Sequence, residues 1–344
     1  GNMENLQFNA DTNWYDELLR TAMMTNHSLN ISGGTEKATY SAGMSYLAQD
    51  GIMDVENYYR RLNFRAALDY EARKWLKVGF NGVFSNSQQQ LPKNAAWQQA
   101  YNTPSIIPVY EDRRDDAVFP KKYTSPEQEG LTNNFNNPVA TANYYDNRNE
   151  TYQVLTNFYA QLNLIPDKLN IRSSYSYDYS MIRGSEFTPT YYVGTNQKKE
   201  VTELTKKNTN YYKYIWDNVA TYTDKWGKHS FTGMLGASMR QEQYRLLEGT
   251  ATNVPEGEDV WKYIAPGNKE GATVKDDGWK YRGLSYFTRL NYNYNDKYML
   301  MFTFRADGSS KYNDKWGYFP SIGAAWVISQ EPFMKNQNIF DYMK

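Results

Sequence analysis

Two acid pairs, Asp115-Asp116 and Asp276-Asp277, are the first residues in this chain whose type and spacing could do chemistry. Adjacent carboxylates can share a proton or hold a cation. Each pair lies in a polar stretch, however, and Asp276-Asp277-Gly278 reads as a turn. Glu256, Glu258 and Asp259 offer the oxygen ligands that calcium favours, but without the spacing of an EF-hand loop. The two histidines, His27 and His229, read as rim residues at strand starts beside short turns, with no second His nearby. The chain has no Cys, which excludes disulfides, thiolate zinc sites and Cys nucleophiles. It contains no Walker loop, dinucleotide glycine pattern or Gly-x-Ser-x-Gly elbow. No catalytic residue, metal site or cofactor is assigned.

The residues suited to binding are aromatic. Trp97, Tyr101, Tyr110, Trp261, Tyr263, Trp279 and Tyr281 all fall in stretches read as long loops. Flat rings stack on sugar rings, and Tyr and Trp anchor protein contacts. Packing of a loop on itself explains any one of them equally well. With 32 Tyr, 9 Trp and 15 Phe the chain is too aromatic for disorder. Thirty-eight basic residues balance thirty-eight acidic ones, which argues against nucleic-acid binding. No apolar run is long enough for a transmembrane helix, and the N-terminus has no signal-peptide character.

The elements that must position these residues are strands. From Leu284 to Tyr294 one face carries Leu284, Tyr286, Leu290 and Tyr292, the other Ser285, Arg289 and Asn291. Leu300, Phe302 and Phe304 oppose Thr303, Arg305 and Asp307, and Leu62, Phe64 and Leu68 oppose Arg61, Arg65 and Asp69. This is period two, with strand-forming residues. It predicts eleven strands near 26–33, 37–49, 58–72, 75–88, 150–165, 168–183, 208–225, 229–248, 281–295, 297–309 and 317–329. Short helices are expected within 11–20 and 94–101. Connections alternate between short turns and long loops, the layout of an outer-membrane barrel. On that reading the apolar residues face lipid, and Arg61, Arg65, Arg289 and Arg305 face a watery lumen. A soluble β-rich carbohydrate-active enzyme and a carbohydrate-binding or adhesin module stay open as alternatives, because alternation alone also fits a soluble sheet.

Several phrases resemble one family. They are Thr12-Asn13-Trp14-Tyr15-Asp16-Glu17, His27-Ser28-Leu29-Asn30-Ile31-Ser32-Gly33-Gly34, Asn137-Pro138-Val139-Ala140, Phe304-Arg305-Ala306-Asp307-Gly308-Ser309-Ser310-Lys311-Tyr312 and Phe319-Pro320-Ser321-Ile322-Gly323-Ala324-Ala325-Trp326. In order along the chain, they are similar to the barrel of SusC/RagA-type TonB-linked outer-membrane transporters. The family usually has Arg-Phe where this chain has Lys311-Tyr312. The resemblance implies an outer-membrane location and import of a glycan or peptide. It also implies a SusD-like lipoprotein and the TonB complex as partners. It further implies that residues 1–344 are an interior part of the barrel, about half of its strands, without signal peptide or plug. The expected fold is all-β: an antiparallel up-and-down meander, curved and not closed. The strands near 26–33 and 317–329 should be free edges, because eleven strands leave the first and last running the same way.

Overall fold

The computed structural model describes residues 10–111, 123–129, 135–257, 262–334 and 339–344. The period-two segments form one eleven-stranded antiparallel sheet. Its strands are β1 (Met24–Gly34), β2 (Ala38–Asp50), β3 (Tyr58–Arg73), β4 (Leu76–Leu91), β5 (Asp146–Ile165), β6 (Leu169–Thr188), β9 (Glu203–Trp226), β10 (His229–Thr252), β11 (Thr273–Tyr294), β12 (Tyr298–Ser309) and β13 (Trp316–Trp326). A separate ribbon pairs β7 (Tyr191–Tyr192) with β8 (Lys198–Lys199). Every strand of the large sheet lies beside its chain neighbour in that sheet, and β1 and β13 are its two edges. The sheet is open.

Short turns sit at one end and long connections at the other, and three of the turns show a local cause. Thr35 closes the first, its hydroxyl accepting from the Lys37 and Ala38 amides. Asn295 and Asp296 both hold positive φ, the two-residue hairpin geometry that matches strand twist. Gly227 holds φ 56° between β9 and β10.

The strands overshoot the sequence reading at the long-connection end. β9 starts at Glu203 and β11 at Thr273. Three expectations are thereby corrected. Asp276-Asp277-Gly278 is not a turn, and Trp279 and Tyr281 are not loop residues. All lie in β11, with Asp276 opposite Leu247, Trp279 opposite Tyr244 and Tyr281 opposite Glu242. The 24-residue β10 offers a row of backbone donors and acceptors, and pairing with it overrides local turn chemistry. His27 also departs from expectation: it lies near the start of β1, at the end opposite the Gly33-Gly34 turn.

The register sorts side chains onto two faces. One row runs Tyr40, Leu68, Phe80, Phe158, Tyr175, Trp216, Met239, Leu284 across eight strands. Most of these are exposed, Phe158 by 52% and Tyr40 by 53%. The same face carries Leu62, Phe64, Leu290, Leu300, Phe302 and Phe304 by register. At the short-turn end it carries Trp226, His229, Tyr294, Tyr298 and Trp326 in one row, their rings stacked or tilted on one another. From Trp226 up to Trp216 is about 33 Å of strand, or roughly 25 Å of height at a barrel-like tilt, the height of an outer-membrane apolar band. Beyond it the same face turns polar, with Arg245, Asn210, Arg183, Glu150, Gln88 and Arg60.

Apolar burial is concentrated elsewhere. The accessible surface is 22259 Å², against about 14,400 Å² for a globular monomer of 40.1 kDa. The larger core lies among the long connections. It gathers α1 (Trp14–Leu18), Met53, α2 (Ala95–Asn102), Ile107, Val109, Tyr123, α3 (Pro138–Asn143) and Val193. These segments form a cap at one end of the sheet. Asn13 caps α1, its side chain accepting from the Tyr15 amide. Gly51 has no room for a Cβ, which would run into the Asn57 side-chain amide. A smaller core of Phe187, Leu204, Ala251 and Val254 joins the outer ends of β6, β9 and β10.

Candidate functional site

Arg61, Arg65, Arg289 and Arg305 project from one face of the sheet, opposite the apolar band. The register connects them: Arg65 shares a row with Val83, Leu155, Asp178, Lys213, Glu242 and Tyr281. Arg305 shares another with Phe287, Gly236, Val219, Arg172 and Gln161. Several carboxylates of this face are engaged by cations or a phenol. Arg305 Nε donates to Asp307 at 2.7 Å, Arg240 Nε to Glu242 at 2.9 Å, and Lys207 meets Glu248 at 2.8 Å. Tyr159 donates its hydroxyl to Asp69, and the Arg172 guanidinium stands 3.8 Å from the centre of the Tyr159 ring. Acids held in this way are poorly placed for general acid–base work, which needs one carboxyl kept protonated near neutral pH.

A groove of about 1060 Å³ opens on this face, lined by Arg240, Glu242, Tyr281, Phe287, Arg305 and Lys311 among others. Above it, Tyr211, Tyr244 and Trp279 stand side by side on β9, β10 and β11. Tyr244 lies 6.1 Å from Trp279 and 5.0 Å from Tyr211, centre to centre. The Lys311 ammonium, from the β12–β13 connection, lies 4.7 Å from the Tyr281 ring centre and 5.5 Å from that of Trp279. Tyr211, Tyr244 and Lys311 were not singled out by sequence. The signal was present: Tyr211 and Tyr244 alternate in phase with Lys213 and Glu242.

The cap is tied together by Asn137. Its Nδ2 donates to Val109 O at 2.9 Å and to Thr124 O at 3.2 Å, and its Oδ1 accepts from the Ala140 amide to cap α3. Gln197 completes the link, accepting from the Asn137 amide at 2.8 Å and donating to Asn137 O and Thr141 Oγ1. One side chain thus joins two segments of the β4–β5 connection, and its backbone joins the β6–β9 connection. Glu127 holds the turn at Thr195. It accepts from the Thr195 amide at 2.8 Å, the Asn196 amide at 2.7 Å and the Thr195 hydroxyl. Burial alone would raise the Glu127 carboxyl, but these three donors outweigh it and hold it below its ordinary value. Tyr110, Tyr123, Tyr144 and Tyr191 form a chain of ring contacts through the cap. Burial, with Tyr110 and Tyr144 close by, pushes the Tyr123 phenol well above its ordinary range.

The loop aromatics divide among different tasks. Trp97 packs against the cap core with its ring 6.4 Å from Tyr15. Tyr110 stacks on Tyr123 at 5.2 Å. Tyr101, 80% exposed, and Tyr263, 60% exposed, offer their rings to solvent. Trp261, Glu258, Asp259, Asp115 and Asp116 lie outside the described residues. Glu256 accepts from the Thr190 amide at 2.6 Å. His229 Nδ1 lies 2.7 Å from the Tyr292 hydroxyl, and its ring stacks on Trp226. No helix among the described residues is long and apolar enough to cross a membrane, which bears on helices alone.

A relative from Formosa agariphila, a TonB-dependent receptor, is 29% identical over 97% of this chain. The TonB-dependent receptor SusC of Bacteroides thetaiotaomicron is 26% identical, also over 97%. The chain resembles SusC/RagA-type TonB-dependent receptors along nearly its whole length. It spans about a third of those curated relatives, 33% of the first and 34% of SusC. Among solved structures, the RagAB peptide transporter superposes with a TM-score of 0.78 at 20% identity, over 96% of this chain and 37% of that one. The pyoverdine-bound FpvA of P. aeruginosa superposes with a TM-score of 0.54 at 10% identity, over 89% of this chain and 39% of its own. The sheet is thus part of a TonB-dependent barrel fold. No family model matches the chain. The relatives are named as receptors and transporters.

Proposed function

We propose that these residues form part of the wall and outer loops of a TonB-dependent outer-membrane importer. The observation that carries this reading is the two-faced sheet: an exposed apolar band about 25 Å tall, edged by stacked aromatics and backed by a charged face. A soluble protein leaves no such surface uncovered, since patches beyond roughly 400 Å² mark interaction or membrane surfaces. On this reading the band meets lipid, and Arg61, Arg65, Arg289 and Arg305 line the lumen. The free edges β1 and β13 pair with further strands of the same barrel, because unpaired backbone groups are costly in lipid.

The cap stands at the outer end. Exposed Tyr101 on the cap and Tyr263 in the β10–β11 connection are the groups through which this end would meet a SusD-like lipoprotein lid. The cargo is a glycan or a peptide, and TonB drives its release through parts of the receptor beyond these strands. The test is deletion of the gene in its host. Loss of uptake of one class of oligomer, restored by the intact gene, supports import. Unchanged uptake of both glycans and peptides, with the protein found in the soluble fraction, defeats it.

A further inference from the structure

Three aromatic side chains side by side on adjacent strands make a ledge. Tyr211, Tyr244 and Trp279 cover two strand spacings, about 10 Å, close to the length of a disaccharide. Tyr211 is 43% exposed and Trp279 46%. Neither is spent on a core, since both buried clusters are built from other residues. Tyr211 lies fifteen residues beyond Trp226 along β9, roughly 38 Å up at the same tilt, so the ledge stands above the apolar band. It opens on the charged face, directly above the groove that Tyr281, Arg240 and Lys311 line.

The charges beside it are uneven. Arg240 and Lys213 both lean on Glu242, and Arg305 is held by Asp307. Lys311 has no carboxylate partner among the described residues. Its ammonium stands instead over the Tyr281 and Trp279 rings. The loop that carries it is fastened: the Arg282 amide donates to Ser310 Oγ at 2.9 Å and the Lys311 amide to Ser309 Oγ at 3.2 Å. A fixed cation beside these mutually packed rings can pair with an acidic substituent on a sugar that lies against them. On the ledge's own face the next row outward holds Thr209, Leu246 and Asp277, while Asn210 and Gln243 point to the opposite face.

We propose that Tyr211, Tyr244 and Trp279, together with Lys311, form a subsite for an acidic oligosaccharide at the mouth of the lumen. This rests on the import reading and narrows its cargo. Stacking on the ledge supplies most of the contact with any pyranose, and Lys311 selects for the carboxylate or sulfate. Flat aromatic faces give affinity with little demand on sequence, whereas a single charge pair gives discrimination.

The test uses the intact protein extracted from outer membranes in detergent, titrated calorimetrically with two probes of equal length. One is an oligogalacturonate and the other a neutral maltooligosaccharide. Lys311→Met should weaken the acidic probe about tenfold, or about 1.4 kcal/mol, and leave the neutral one unchanged. Trp279→Ala should weaken both, and Trp279→Phe should restore most of the loss. Lys311→Met without effect on the acidic probe overturns the charge assignment. Trp279→Ala without effect on either probe, or binding of an acidic peptide in place of both sugars, overturns the subsite. Failure of the import reading is recognised separately, because the wild-type gene then restores no uptake at all.

Discussion

The cap and the wall are built on opposite principles. The cap buries Leu18, Met53, Ile107 and Tyr123 almost completely and ties its segments through Asn137 and Gln197. It is a small globular unit that water stabilises by the usual burial of apolar surface. The wall has backbone ladders, cross-strand pairs and two solvent-facing surfaces, with little beneath either. Its Leu, Phe and Tyr residues are displayed on one face of the sheet. Such a surface is stable only where the surroundings are themselves apolar, and where no strand edge is left unpaired. Within one chain, hydrophobic residues therefore do two different jobs, and exposure tells them apart.

The strongest way to break this contrast is a charge in the wall. Leu235, 66% exposed, sits on the apolar face near the middle of the band, opposite Ala220 and Thr288. Leu235→Arg should cost about 2–4 kcal/mol in lipid vesicles, measured by urea unfolding. At the same exposure in water, a surface substitution costs within about 0.5 kcal/mol. A neutral result would mean that this face meets water.

The counterpart in the cap is Asn137→Leu. It removes the cap of α3 and leaves the buried Val109 and Thr124 carbonyls without this donor, a loss of about 2–3 kcal/mol. Hydrogen exchange should quicken in residues 123–129 and 137–144 and around Gln197, while the central parts of β5 and β6 stay protected. Loosening of those strands too would show that cap and wall unfold as one unit.

A smaller effect follows from Glu127. Its carboxyl is held below the ordinary 4.5, so its contribution to the turn at Thr195 is fully present above about pH 4.5. That contribution is lost as pH falls through the depressed value. Proteolysis near 194–197 should rise on acidification, and Glu127→Gln should flatten the dependence. An unchanged profile in the variant would assign the effect to another group. The smallest change expected is Tyr101→Arg, at 80% exposure, which should alter stability by no more than about 0.5 kcal/mol. Its effect would be read instead as weaker capture of a lipoprotein partner.

Much of the wall was legible in the sequence. Alternation such as Leu300, Phe302, Phe304 against Thr303, Arg305, Asp307 sets strand type and face locally, because successive side chains must point to opposite sides. Strand order followed from the short turns, since tight hairpins leave no choice of partner; Asn295-Asp296 is one such signal. The segregation of Arg61, Arg65, Arg289 and Arg305 onto one face came from the same parity. The open edges came from counting strands.

Tertiary structure alone decided the rest. Asp276-Asp277-Gly278 has the residues of a turn, yet β10 runs past it and its backbone pairing prevails. The seven loop aromatics looked alike in sequence, but Trp97 and Tyr110 are cap packing, Tyr101 and Tyr263 are exposed, and Trp279 and Tyr281 are strand residues of the charged face. Asn137 was visible only as a phrase; its role as a hub depends on carbonyls 13 and 28 residues away. The Tyr211, Tyr244 and Trp279 ledge needs the register of three strands at once. Local chemistry fixes what a residue can do within a few positions. Which distant residues it meets is set by backbone pairing and by the closure of long connections, and neither is written in any short stretch of the chain.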